Sequence, residues 1–526
     1  MARLLLQRHR LAIHIVFASV CLSALCFLLR HDGFGELTSR WPLPPSKTVW
    51  GTSTQSQSNP GPPVLDGLTE HHDDATTTQS DLEDAEGQTQ VVDSEDGQRA
   101  SPLVAELKLP THELNTKARI LALSVLNPAD ASVDRLACPA VNQTRYAYLK
   151  AGRPSGEGQD SGDEIRYFFA LNLRQCVDLL PRLMGSVIEA MRFLGTRHCA
   201  LSIVEGNSDD GTFEVLELLQ GELRRLGVLH YYLRRSEMDP SVGFRIEKLA
   251  ILRALAVEPV TGSKTRNDFD EDAEGRDRPE AAAPGQEVPK LTLAANATVV
   301  FLNDVAACTE DVLELIHQRL AQDADMTCGM DWGYVWDPSS PTSSRAAFYD
   351  VWVARALNGD TFFDIPPATV SWDRSSDLFF NEPVARSRMA AMRPFQVFSC
   401  WNGGVAFAAA PLADGAVRFR SSARDECFQG EPQLFCKDMW AAGHGRIAVV
   451  PTVNFAYTDG EGRTIKAEKG YVSEWVPSEA NIVGDEDGEP LPPLRIPWQQ
   501  KPPPMVKCMP MFTLQSWLPW NEGLPL

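Results

Sequence analysis

Between Lys117 and Thr458 short apolar runs alternate with amphipathic stretches, and few folds accept that rhythm. Ile165 to Leu171 reads as a strand, Leu179 to Leu194 as a helix with apolar residues at helical spacing, and Leu201 to Val204 as a second strand. Phe213 to Leu226 then reads as a helix, Val228 to Leu233 as a strand, Phe244 to Ala256 as a helix, and Val299 to Leu302 as a buried strand. Strands separated by helices give an α/β fold with a mainly parallel central sheet covered on both faces. Residues 262–290 break the rhythm, since Asp, Glu, Arg, Pro and Gly dominate there, and are expected to be a disordered surface insertion.

Leu11 to Leu29 is an uncharged, mostly apolar run preceded by Arg3, Arg8 and Arg10. It is long enough to span a bilayer as a helix, and the preceding cations keep residues 1–10 in the cytosol. A cleaved signal peptide competes, but the run is long for one and no small-x-small site closes it. Residues 30–116, rich in Pro, Ser, Thr, Gln and acids, are expected to be a disordered lumenal stem. The folded domain is expected over 117–458 and a Pro-rich tail wrapping it over 459–526. Of eleven cysteines, Cys21 and Cys26 lie in the apolar run. The remaining odd number suits disulfides with at least one thiol left over, and no CxxC pair or Cys/His zinc spacing occurs. Asn142 and Asn296 open N-glycosylation sequons. The formal net charge of -21 argues against nucleic acid as a partner.

The strand from Val299 runs directly into Asn303 and Asp304. Ligands of open α/β sheets bind beyond the carboxyl ends of strands, where an acid can hold a metal and the phosphates it neutralises. Thr309 has the makings of an N-cap for the next helix, leaving Asp304 for another role. The loop holding Asn207, Asp209 and Asp210 joins a strand to a helix and suits either a nucleotide or a simple turn with a cap. Arg245 and Lys248, three apart on a helix, can face a diphosphate or water. Trp401, Asn402 and Gly403 offer an aromatic face, an amide and close backbone approach to a sugar, or a packed turn. Glu431 precedes a Pro expected to open a helix, Asp438 lies two turns on, and Asp331, Asp350 and Asp360 are further carboxylates. No GxSxG elbow, HExxH pair or P-loop is present, which disfavours protease, zinc-hydrolase and kinase chemistry.

Six blocks in order carry a resemblance. They are FLNDV at Phe301 to Val305, ADMTCGMDW at Ala324 to Trp332, FYDVWVARALNGD at Phe348 to Asp360, PFQVFSCWNGGVAF at Pro394 to Phe407, ECFQGEPQLFCKDMW at Glu426 to Trp440, and IAVVPTVNFAYT at Ile447 to Thr458. Through them the chain resembles the fungal capsule-associated mannosyltransferases of glycosyltransferase family 69, which include the cryptococcal α-1,3-mannosyltransferases. The resemblance implies a GT-A-like nucleotide-sugar fold, GDP-mannose as donor, manganese or magnesium as cofactor, and α-mannosyl transfer with retention to a mannose-containing glycan acceptor. It also implies a Golgi enzyme of single-pass type II topology that serves capsule or cell-wall polysaccharide.

Within that family reading Asp304 stands at the last acid of a DxD motif, as the metal ligand beside Asn303, while Leu302 replaces the first acid. Asn207, Asp209, Asp210, Arg245 and Lys248 are then donor-binding candidates, and Trp401, Asn402 and Gly403 acceptor-binding candidates. Glu431 and Asp438, with Asp331 in reserve, are candidates for acceptor orientation or oxocarbenium stabilisation. Two alternatives stay open. One is a transferase using another nucleotide sugar, such as a UDP-xylose donor; the other is a carbohydrate-binding or assembly subunit without catalysis, which the missing first acid favours.

Overall fold

Strands buried on both faces need apolar residues at consecutive positions, and β1 (Ile165–Leu173) meets that condition with Phe168, Phe169, Ala170 and Leu171 all inaccessible. Phe168 and Ala170 enter one core while Phe169 and Leu171 enter another, because successive strand side chains point to opposite faces. The computed structural model describes residues 111–150, 164–238, 243–262, 289–336, 344–476 and 492–524. The proposed membrane run 11–29, the stem up to 110 and most of the insertion lie outside the described residues. Among the described residues no helix is long and apolar enough to cross a membrane.

The further strands are β2 (Cys199–Glu205), β3 (His230–Arg235), β4 (Leu293–Leu302), β5 (Met326–Trp336), β6 (Ser344–Phe348), β7 (Arg355–Ala356), β8 (Phe395–Ser399), β9 (Gly404–Ala408) and β10 (Ile447–Phe455). They form one 10-stranded sheet in the order β3-β2-β1-β4-β9-β5-β10-β8-β7, with β6 paired to β5. The half from β3 to β4 is parallel throughout, and β5 and β10 are parallel to each other. β9 is antiparallel to both β4 and β5 and splices the two groups. The mainly parallel α/β sheet expected from the strand-helix rhythm is therefore present, with antiparallel strands added in its second half. A hairpin of β11 (Met505–Met511) and β12 (Leu514–Pro519) stands apart.

On one face pack α1 (Thr111–Leu126), α2 (Leu180–Leu194), α3 (Thr212–Arg225) and, later in the chain, α5 (Thr309–Ala321); on the other lies α4 (Arg245–Ala256), against β1 and β2. α6 (Glu431–Ala441) rests on β8 and touches α4, a contact that the site depends on. α1 begins at Thr111, so the expected boundary between stem and domain at 116 cuts a helix. Past 458 the chain forms α7 (Asp459–Lys469), whose Lys466 makes a fully buried ion pair with Asp311 at 2.7 Å. The helix cap expected at Thr309 falls one residue earlier. Cys308 is the N-cap of α5, and the Asp311 carboxylate accepts its backbone N–H at 2.8 Å, closing a capping box.

Three disulfides join distant segments: Cys138–Cys308, Cys328–Cys400 and Cys427–Cys508, the last tying the β11-β12 hairpin to the approach of α6. Cys176, Cys199 and Cys436 remain as buried thiols. A cross-link stabilises chiefly by restricting the unfolded chain, and Cys138–Cys308 spans 170 residues. Replacing both of its cysteines by Ser is expected to lower unfolding free energy by about 2–5 kcal/mol. Denaturant unfolding of the double variant beside the parent checks this.

Candidate active site

The apolar run of β4 ends at Leu302, and the ladder goes one step further: the Asn303 N–H donates to the Gly403 carbonyl at 2.9 Å. The Val305 N–H then donates to the Asn303 carbonyl at 2.9 Å, a tight turn with Asp304 at its tip, half-buried beyond the carboxyl end of the strand. Gly403 belongs to a turn in which the Gly404 N–H donates to Trp401 O at 3.2 Å. Asn402 and Gly403, at its centre, both have positive φ, 53° and 80°. The pair Asn-Gly suits such a turn because both residues tolerate the left-handed region. A Cβ on Gly403 would stand 3.1 Å from Val305 Cγ1 and 3.3 Å from Asp331 Cβ, so this approach of turn to sheet needs glycine twice over.

Two side chains lock that junction. Asn303 Oδ1 accepts from Trp401 Nε1 at 3.2 Å and makes a long 3.5 Å contact with Nη2 of Arg253 on α4. The Arg253 guanidinium lies 4.3 Å over the Trp401 ring and 5.1 Å from the Phe301 ring centre, and its Nε donates to Glu431 Oε1 at 2.7 Å. Arg253 and Glu431 are both buried, and Arg253 Nη1 is enclosed with no hydrogen-bond partner. Glu431 opens α6 in its first turn after Gly430, with Pro432 second, one position later than expected for the proline.

Beside this junction sit two acids. Asp331 on β5 is completely buried; its Oδ2 accepts from the Tyr457 hydroxyl at 2.6 Å and its Oδ1 from the Asp350 N–H at 3.2 Å. Asp350, half-buried, accepts the Asn402 N–H at 2.9 Å. Burial, and then the neighbouring charge of Asp350, push Asp331 well above the usual carboxylate range and favour its protonated form. Asp350 is pushed up to about 6, first by burial, with the Asn402 N–H and Arg253 pulling down and Glu431 pushing up. Tyr349 is raised to about 12 by burial and by Asp331, Asp350 and Asp304, against Arg245.

The remaining candidates separate. Asp210 is used by the loop itself: it accepts the Val177 N–H at 3.0 Å and both the N–H and hydroxyl of Thr212. Asp209 exchanges hydrogen bonds with the Gln175 amide, and Asn207 is exposed at φ 58°. Arg245 is exposed at the start of α4 and Lys248 half-buried one turn on. Asp438 is held by Arg420 through a two-pronged pair at 2.7 and 2.8 Å within a network that includes Glu426 and Lys437. Trp401, Asn402 and Gly403 are all buried, and Trp401 spends its ring on Arg253 and its N–H on Asn303. Asp360 is also structural, since it accepts from Thr361 N and Asn381 Nδ2. Arg253, Tyr349 and Tyr457 went unread in the sequence.

Among the described residues no group of three or more His, Cys, Asp or Glu side chains is disposed to cage a metal. A hard ion that keeps its shell for phosphate and water needs only one or two carboxylates, which Asp304 can begin to supply.

A family model described as Cryptococcal mannosyltransferase 1 matches residues 166–438. Alpha-1,3-mannosyltransferase CMT1 of Cryptococcus neoformans var. neoformans serotype D is 33% identical over 356 residues, which cover 66% of this chain and 68% of the relative. Among solved structures, S. aureus TarS aligns with a TM-score of 0.29 and 13% identity, over 58% of this chain and 39% of its own. Mannosyltransferase PcManGT from Pyrobaculum calidifontis, in complex with GDP-Man and Mn2+, aligns with a TM-score of 0.28 and 11% identity, over 65% of this chain and 68% of its own.

The raised acids make stability depend on pH. Folded, the pair keeps protons that the unfolded carboxyls release near pH 4, so stability present at low pH is lost as pH rises from there through about 6. Asp331→Asn removes the more deeply buried acid and keeps an acceptor. It is expected to flatten that fall and to raise stability at pH 7.5, with little gain at pH 4.5. Urea unfolding at the two pH values checks the sign.

Proposed function

The chain belongs to the cryptococcal mannosyltransferase 1 family and is a glycosyltransferase, and on that premise we propose that it transfers mannose from GDP-mannose, in α-1,3 linkage and with retention, to a mannose-containing glycan. The observation that carries the reading is the position of Asp304, half-buried at the carboxyl end of β4, where open α/β sheets bind their ligands. α4, packed on the neighbouring β1, carries Arg245 and Lys248 in its first turn, cations that suit the two phosphates of a nucleoside diphosphate. Asp304 would hold the divalent cation. Such an ion, manganese or magnesium, neutralises charge developing on the departing diphosphate.

Asp350 keeps accessible surface and carries charge near neutral pH, so it supplies the negative potential that an oxocarbenium-like transition state requires; buried Asp331 steadies it as the neutral partner. In transfer the bond from the anomeric carbon to the GDP oxygen breaks and a bond to the acceptor oxygen forms on the same face. The acceptor hydroxyl proton passes to the released phosphate oxygen. The Leu11 to Leu29 run serves as anchor of a type II protein with its catalytic domain in the Golgi lumen, and the three disulfides support an oxidising compartment. A noncatalytic binding role has one observation in its favour, Leu302 in place of a second acid.

The test is transfer from GDP-mannose to α-mannobiose by the full chain in detergent, with manganese and with chelator. Activity is expected to vanish on chelation, to return with manganese, and to fall at least about 100-fold in Asp304→Ala. Donor binding without turnover would move the assignment to the binding role.

A further inference from the structure

Arg253 is a cation held on all sides by groups of the site. Its Nε is fixed by Glu431 at 2.7 Å, its plane lies 4.3 Å over Trp401, its Nη2 meets the Asn303 amide oxygen, and its Nη1 is enclosed with no partner. A buried guanidinium left with an open N–H is uncommon, because the group loses water without replacement. Asn303 is the residue before Asp304, and Trp401 and Asn402 begin the turn whose N–H holds Asp350. The same guanidinium therefore touches both the strand end bearing Asp304 and the turn that grips Asp350.

We propose that Arg253 is a positioning residue of the transfer reaction, fixing the end of β4 through Asn303 and Trp401 and setting a positive charge beside Asp350, with Glu431 as its anchor and not a reacting acid. The inference rests on the transferase reading above, because its activity arm uses that reaction. The charged and titratable groups around Asp350 are Asp331 on β5, Tyr457 after β10, Tyr349 beside it, Arg355 on β7, Glu431 on α6 and Arg253 on α4. Cys436, also within reach, stays a neutral thiol. Of these, Arg253 and Glu431 act on Asp350 with opposite sign although they form one ion pair. Loss of a merely structural pair would damage the protein in the same way from either side.

The experiment compares Arg253→Gln, Arg253→Lys and Glu431→Gln in the full chain. The acid limb of kcat/KM against pH is recorded for each, and so is the pH midpoint of the infrared band of the protonated Asp350 carboxyl, identified by its loss in Asp350→Asn. Arg253→Gln is expected to move limb and band up by about one pH unit, Glu431→Gln to move both down, and Arg253→Lys to stay near the parent. Equal movement of the band in one direction, or no movement, overturns the inference whether or not transfer is detected. A folded Glu431→Gln protein inactive at every pH also overturns it, by making Glu431 the reacting acid. If Arg253→Gln does not fold, Glu431→Gln and Arg253→Lys still decide the matter through the band. Absence of transfer in the parent, with opposite band shifts, sinks the transferase reading and leaves Arg253 as the group that sets the charge of Asp350.

Discussion

The backbone hydrogen bond from Asn303 N–H to the Gly403 carbonyl at 2.9 Å carries the β4-β9 ladder, which joins the two halves of the sheet, one step further to where the acids gather. β4 has a parallel neighbour on one side and antiparallel β9 on the other, so its carboxyl end meets the amino end of β9 and the turn before it. That turn touches two strands and a loop at once. Gly403 caps the end of β4, the Asn402 side chain donates to the Gly329 carbonyl in β5 at 2.8 Å, and the Asn402 N–H holds the loop after β6 through Asp350. Move the turn by an ångström and Asp304, Asp331 and Asp350 lose their common frame.

The electrostatics follow from the same enclosure. Low dielectric strengthens every interaction among these groups and also makes an unmatched charge costly. Glu431 is met in the interior by Arg253 directly, whereas Asp331 has only hydroxyl and backbone donors, and its burial favours the protonated form. The two acids are distinguished by their donors and not by their chemical type.

Much of the first half was legible because parallel strands buried on both faces leave an unmistakable apolar signature, as in Phe168 to Leu171 and Val299 to Leu302. The second half was less so. β7 has two residues and takes its place from pairing with β8, and β5 continues past Met330 through residues whose pattern is neither strictly alternating nor continuous. Asp304 and Asp331 could be picked out by their position after apolar runs. Asp438 lies two turns from Glu431 on one helix, which is legible, while the cation paired with it, Arg420, comes from a separate segment and is not. Trp401 beside glycines looks like a sugar platform, and only the packing of Arg253 above it and Phe419 and Phe435 around it reveals a core residue. Arg253 itself carries no local mark, since a basic residue near the end of an amphipathic helix ordinarily faces water.

The span of the first disulfide bears on how the chain is made. Cys138 leaves the ribosome 170 residues ahead of Cys308, a delay on the order of 10–30 s at ordinary elongation rates. Cys176 and Cys199 emerge during that wait and end as buried thiols, beside α2 and within β2. Packing of β1, α2 and β2 encloses those two thiols, so the first strand-helix-strand unit shields from Cys138 the wrong partners for a covalent bond that none of those elements contains.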